Sequence, residues 1–254
     1  MRTSAALPQA QAERHGREVS WTAEFVGELA QGLAACRIMC VGGAGALFPV
    51  HWLCWNQTFS NLVSQAAQMQ NPGIPNDMLW VLNPAVCIVL VPVLQRGLYP
   101  ALHRRRVRCG PVARIAVGFA FMTASVAYAA VVQLLIYRAG PCYRAPLACP
   151  AAAAAAGPRP NAVSVFVQLP VYVLSAAAEV FCLPAGAELA YALAPPGMRS
   201  VVQALWSSTA GVGAWLGIAV APAAEDPRLV ALYAGLAGAM ALATAIFWIC
   251  FGRL

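Results

Sequence analysis

The sequence has 254 residues, of which 61% are hydrophobic and only 10% charged, with a formal net charge of +7. Soluble domains average about 25% charged residues, so the composition excludes an ordinary soluble domain and points to several membrane spans. The positive balance does not point to nucleic acid, because the arginines lie between apolar runs rather than along one face.

In chain order, residues 1–31 read as a polar cytosolic tail with no apolar signal-peptide region. Within it, Trp21–Leu29 has the pattern of an amphipathic approach helix. Residues 32–254 read as a six-span bundle, with spans near 33–64, 79–102, 112–137, 163–193, 200–221 and 229–251. Each holds the ~20 apolar residues that cross ~30 Å of hydrocarbon. Helices are required there, because lipid offers the backbone no hydrogen bonds.

All sixteen basic residues are arginine, and their distribution orients the bundle. Twelve fall on the side of the N-terminal tail, including Arg96, Arg104, Arg105, Arg106, Arg108 and Arg114, and four (Arg138, Arg144, Arg159, Arg228) on the other. The positive-inside rule places the first side in the cytosol, with both termini there. The outer loop Arg138–Asn161 carries a run of six alanines, a low-complexity linker. It also carries Cys142 and Cys149, which form a disulfide or remain two thiols on the oxidising face. The cysteines inside apolar segments read as small buried hydrophobes. The sequon at Asn56 lies in an apolar span and is expected to be unmodified.

The polar residues inside the spans are the functional candidates. Glu179 lies near the middle of the fourth span, where an ionisable side chain costs roughly 2.5–3.5 kcal/mol on insertion scales. Such a residue usually faces a bundle interior or an aqueous path, so Glu179 is a candidate for a proton or substrate role. Glu188 follows nine residues later, on the opposite side of the helix and nearer the cytosolic end, where a salt bridge is as good a reading. Pro184, between them, removes a backbone donor. The first span carries His51, Asn56, Gln57, Ser60, Asn61 and Ser64, too many polar groups for a lipid-facing helix. Asn56, Ser60 and Ser64 recur every four residues as a stripe, and Trp52 and Trp55 supply walls for organic side chains. In the fifth span Trp206 precedes a Gly213–Gly217 pair suited to close helix packing. No catalytic constellation, phosphate-binding glycine loop or metal-ligand spacing is visible, so neither an enzyme nor a metal cofactor is expected.

Taken together, PVHWLCWNQ with NLVSQAAQM (Pro49–Met69), GIPNDMLWVLNP (Gly73–Pro84), VPVLQRGLYP (Val91–Pro100), RIAVGFAF (Arg114–Phe121), AAVVQLLIY with PC (Ala129–Cys142), VQLPVYVLSAAAEVF (Val167–Phe181) and APPGMRSVVQALW (Ala194–Trp206) resemble the proton-dependent oligopeptide transporters, fungal branch, C-terminal half. The resemblance covers nearly everything from Trp21 onward. It implies an all-α membrane protein, the six-helix half (helices 7–12) of a major-facilitator fold, in which two halves rock around a midplane site.

It further implies uptake of di- and tripeptides driven by protons as the coupling ion, in a lipid bilayer, with the plasma membrane as the expected location. Glu179 falls on the family's tenth-helix glutamate and Trp206 on an eleventh-helix tryptophan near the pocket. Asn56, beside Gln57 and Ser60, occupies a seventh-helix position where many relatives carry an acid linked to proton coupling. Gln95 stands where relatives usually have an aspartate, and with Arg199 and Glu188 it belongs to a candidate gate. CVGGAGA (Cys40–Ala46) looks like an insertion before Phe48. The family's first-helix ExxER motif and fourth-helix lysine belong to an N-terminal six-helix half outside this chain. The expectation is therefore that the chain alone does not transport. Two alternatives stand beside it: a non-transporting membrane protein that associates with a full-length transporter, and a carrier of another small solute such as nitrate.

Overall fold

The computed structural model describes residues 27, 44–57, 59–73, 75–106, 109–146, 160–194 and 198–252. Outside the described residues lie the tail through residue 26, nearly all of the expected approach helix, most of the Cys40–Ala46 insertion, Thr58, Arg108, and the alanine run with Cys149.

Eight α-helices follow in order among the described residues: α1 (Ala44–Asn56), α2 (Asn61–Ala67), α3 (Leu82–Val93), α4 (Tyr99–Arg104), α5 (Pro111–Arg138), α6 (Leu169–Leu193), α7 (Arg199–Val220) and α8 (Leu229–Phe251). A 3-10 turn at Asn76–Val81 leads into α3, and a π turn at Leu94–Leu98 joins α3 and α4 into one rod. Five described stretches are long and apolar enough to cross a bilayer: Met78–Arg104, Pro111–Arg138, Val165–Ala192, Arg199–Ala223 and Leu229–Phe251.

Prolines explain several boundaries. Pro111 opens α5 just after Gly110; at a first helical position its missing N–H breaks no bond. Pro92 lies inside α3 and removes a donor that lipid cannot replace, and the helix widens into its π turn two residues later. Helix α6 runs on through Pro184.

The first span departs from expectation. Helix α1 stops at Asn56, the chain turns, and α2 resumes at Asn61. The Gln57 and Phe59 amides donate to the Cys54 and Asn56 carbonyls, each at 3.2 Å, and Ser60 Oγ donates to Asn56 O at 3.1 Å. Short polar side chains are favoured in turns, and over these residues the helical ladder gives way to turns. The helical period therefore does not carry from Asn56 to Ser60 and Ser64, and these three do not form one stripe.

Helix α5 is the centre of the bundle, packed on α6 and α8, while α1 packs on α7 and α3 on α6. Phe119 of α5 lies 5.4 Å from both Phe48 of α1 and Phe247 of α8, ring to ring. Two glycines set the helix spacing. A Cβ on Gly118 would stand 2.7 Å from Cys182 Cβ and 2.9 Å from Ala178 O, so α5 and α6 touch backbone to backbone. A Cβ on Gly213 would stand 2.3 Å from Trp52 Cβ, fixing the α1–α7 crossing. Gly217, its partner in the sequence motif, makes only ordinary contact with Leu53.

At the end of the bundle where α5 finishes, the apolar core gives way to buried amides. Two short strands, β1 (Met69–Gln70) and β2 (Asn161–Ser164), pair in parallel there. Gln65 Nε2 donates to Gln133 Oε1 (2.8 Å), Gln133 Nε2 to Gln68 Oε1 (2.8 Å), and Gln68 Nε2 to Asp226 Oδ2 (3.2 Å). Tyr137 donates to the other Asp226 oxygen, and Gln168 donates to Gln65 Oε1 at 3.0 Å. Asn161 donates to the Ile136 and Tyr143 carbonyls and accepts from the Cys142 amide. Cys142 itself is buried and disulfide-bonded.

Candidate functional site

Glu179 is half-buried on α6 and draws two other helices to it. Its Oε2 accepts hydrogen bonds from Trp55 Nε1 of α1 at 3.1 Å and from Asn83 Nδ2 of α3 at 2.8 Å. Two N–H donors to one carboxylate oxygen make charge-assisted bonds that fix its orientation. The amide oxygen of Asn83 is buried and accepts no bond from the described residues. An open acceptor thus lies beside a carboxylate, an arrangement suited to a cationic or N–H-bearing group.

Aromatic rings extend from this point along α1 and beyond. Trp52 lies 5.5 Å from Trp55, Trp55 lies 4.5 Å from Phe59, and Phe59 lies 5.6 Å from Trp80. Trp52 Nε1 donates to Thr209 Oγ1 of α7 at 3.2 Å, which ties the near end of the row to the bundle. The far end is open, with Phe59 39% and Trp80 40% exposed.

Asn56, Gln57 and Ser60 do not join Glu179. They lie with Asn61, Gly217 and Ile218 along a separate cavity of about 350 Å³ between the α1 break and α7. Gln57 is buried there, donating to Leu53 O at 3.2 Å and accepting from Asn61 Nδ2 at 2.5 Å. Successive residues of a helix are about 100° apart, so Trp55 and Asn56 serve different neighbours. Trp206 is a third location: its ring lies 6.2 Å from Phe48, and its Nε1 would meet a Cβ on Gly186 at 2.9 Å. Gly186 is seven residues beyond Glu179, about 10 Å along α6.

The candidate gate divides as well. Glu188 Oε2 pairs with Arg114 Nη2 at 2.5 Å. Gln95, within the π turn, lines a cavity of about 140 Å³ with Tyr99, Arg114 and Pro184. Arg114 therefore gathers Glu188 and Gln95, with Glu188 as its carboxylate partner, in line with the salt-bridge reading of Glu188. Arg199 stands apart, donating to Tyr191 OH at 2.8 Å with its guanidinium 4.4 Å from that ring's centre.

Asn83 is the residue of this cluster that sequence reasoning missed. Its signal was present, an amide alone in the apolar run LNPAVCIVLVPV, and the rule that singled out Glu179 applies to it equally.

Residues 12–236 match the POT family. The chain belongs to the POT family. It is 45% identical over 249 residues to the peptide transporter imqD of Aspergillus flavus, covering 98% of this chain and 59% of that protein. It is 36% identical over 232 residues to the probable peptide transporter ptr2 of Schizosaccharomyces pombe, covering 91% of this chain and 35% of that one. Among solved structures, the POT family transporter PepTSo superposes with a TM-score of 0.71 at 22% identity, over 98% of this chain and 46% of that chain. The fold is thus the C-terminal half of a major-facilitator transporter. The chain spans less than two thirds of the length of these POT relatives.

Proposed function

We propose that this POT chain serves proton-coupled transport of di- and tripeptides as one six-helix half of a transporter, and that it does not transport alone. The observation that carries the reading is Glu179 held by Trp55 and Asn83 at the base of an aromatic row with an open end. The carboxylate suits a peptide's amino terminus, and the open acceptor of Asn83 suits its N–H groups. The rings suit side chains of varied shape. The similarity to fungal peptide transporters supports the substrate class. A half bundle supplies one wall of an alternating-access site, so the opposing wall comes from a second six-helix half. The arginine bias supports cytosolic termini, and uptake of peptides suits the plasma membrane. The working substance is a carrier in the bilayer, with protons as the driving ion and no role for nucleic acid or enzymatic chemistry.

Uptake of a labelled dipeptide into cells lacking peptide transporters tests this. The chain alone should give background uptake, and co-expression with the N-terminal half of a POT relative should restore it. Glu179→Gln should lower the restored uptake by about tenfold, the worth of one charge-assisted contact. Robust uptake by the chain alone would overturn the need for a second half. Competition by nitrate but not by unlabelled peptide would move the substrate to the other small-solute class.

A further inference from the structure

The Arg114 end of the bundle holds a cavity of about 740 Å³ whose polar chemistry is of one sign. Its walls are Tyr99, His103, Arg104, Arg106, Cys109 and Arg114, with Leu102 between them, and no acidic side chain lines it among the described residues. Three guanidiniums face one concavity, Arg104 and Arg106 exposed and Arg114 paired on one nitrogen with Glu188, and an anion entering it is attracted by all three.

Three further features point the same way. Helix α5 begins at Pro111, between Cys109 and Arg114, with no acidic residue in its first turn. The partial positive charge of a 28-residue helix therefore lies at the cavity wall, uncompensated. Arg114 gives one nitrogen to Glu188, while its Nε is buried without a partner. Arg106 has φ +55°, the left-handed region, where it closes α4 by donating its amide to His103 O at 3.0 Å. Glycine or asparagine usually takes that position. A residue held in a sparsely populated conformation marks sites where the side chain serves another purpose.

We propose that this cavity binds a phosphate-bearing anion, the headgroup of an acidic phospholipid. The cavity lies at the end of two spanning helices, the depth of headgroups, and Tyr99 at its wall is a residue type favoured at the membrane interface. Basic pockets at helix ends bind acidic lipid headgroups by the same attraction. Glu179 does not line the cavity, and the proposal does not rest on the substrate reading; its assignment to the cytosolic leaflet rests on the orientation proposed above.

Native mass spectrometry of the purified chain in detergent tests it, with dioleoyl phosphatidic acid, dioleoyl phosphatidylcholine and inorganic phosphate as the probes. Phosphatidic acid should be retained at about tenfold lower concentration than phosphatidylcholine, and Arg104→Gln with Arg106→Gln should abolish that preference. Arg228→Gln, at the opposite end of the bundle, should leave it unchanged. Arg106→Gly should weaken lipid retention while holding or raising the melting temperature, since glycine suits the left-handed backbone; that combination separates a lost ligand contact from a lost fold. If inorganic phosphate alone displaces the lipid at equal concentration, the site takes the phosphate group itself and free phosphate is the source. Equal retention of both lipids, or an undiminished preference in the double variant, would overturn the proposal.

Discussion

Two of the polar regions inside this apolar bundle are built differently. At the Arg138 end, Gln65, Gln133 and Asn161 are fully buried, and each side-chain amide donates to a partner. The Asp226 carboxylate is held there on both oxygens. Around Glu179 the same residue types are left incomplete: the carboxylate is half-buried, Asn83 keeps an open acceptor, and the adjoining aromatic row ends at exposed rings. A saturated network in a low-dielectric interior rigidifies. An unsaturated one beside an opening has binding capacity to spare. The first region is close to saturated, Gln168 Oε1 being its one buried amide oxygen without a partner among the described residues, and the second, with its opening, is the region we propose as the site.

Breaking the scaffold should have the largest effect on stability. Asn161→Ala removes two donated bonds, 2.8 and 3.0 Å long, and one accepted at 3.0 Å, and leaves the Ile136 carbonyl and the Cys142 amide buried without it. A loss of about 3 kcal/mol is expected from the orphaned groups, read as a fall in melting temperature of the detergent-solubilised chain; an unchanged melting temperature would remove the network's structural role. Gly118→Leu comes next. Its side chain must displace Cys182 and the Ala178 carbonyl, an overpacking expected to cost about 1–3 kcal/mol by the same assay. Asn83→Ala should move stability by only about 1 kcal/mol, yet lower dipeptide uptake in the reconstituted transporter, because Trp55 alone then orients Glu179. Equal loss of stability and uptake would place Asn83 with the scaffold.

Much of this was legible in the chain. Runs of apolar residues bounded by arginine, glycine and proline announce α5 and α8, because in lipid a helix must satisfy its own backbone. Glu179 announces itself as a charge where charge is expensive. Pairings across the fold were not legible. Gln65 and Gln133 are 68 residues apart, and Asp226 lies 158 residues from Gln68; periodicity carries no information at such separations. The break after Asn56 was hidden for a different reason. The composition of Asn56–Ser64 fits a polar helix face and a turn equally well, and the bond from Ser60 to the Asn56 carbonyl does not choose between them, since Thr123 and Thr244 make the same bond inside unbroken helices. Arg114 was counted for topology alone, although its spacing to Glu188 is set by the α5–α6 contact at Gly118.

The smallest effect belongs to the Arg114–Glu188 pair, and it sharpens the contrast. The Glu188 side chain is 53% exposed and that of Arg114 21%. Water screens such a pair, so Glu188→Gln should change stability by less than about 1 kcal/mol. The substitution nevertheless removes the carboxylate that Arg114 holds and leaves the guanidinium to the basic cavity. Retention of phosphatidic acid should then rise, by about twofold, while the melting temperature stays where it was. A fall in both would mean that Glu188 holds Arg114 in place for the α5–α6 contact, and the pair would count as scaffold despite its exposure.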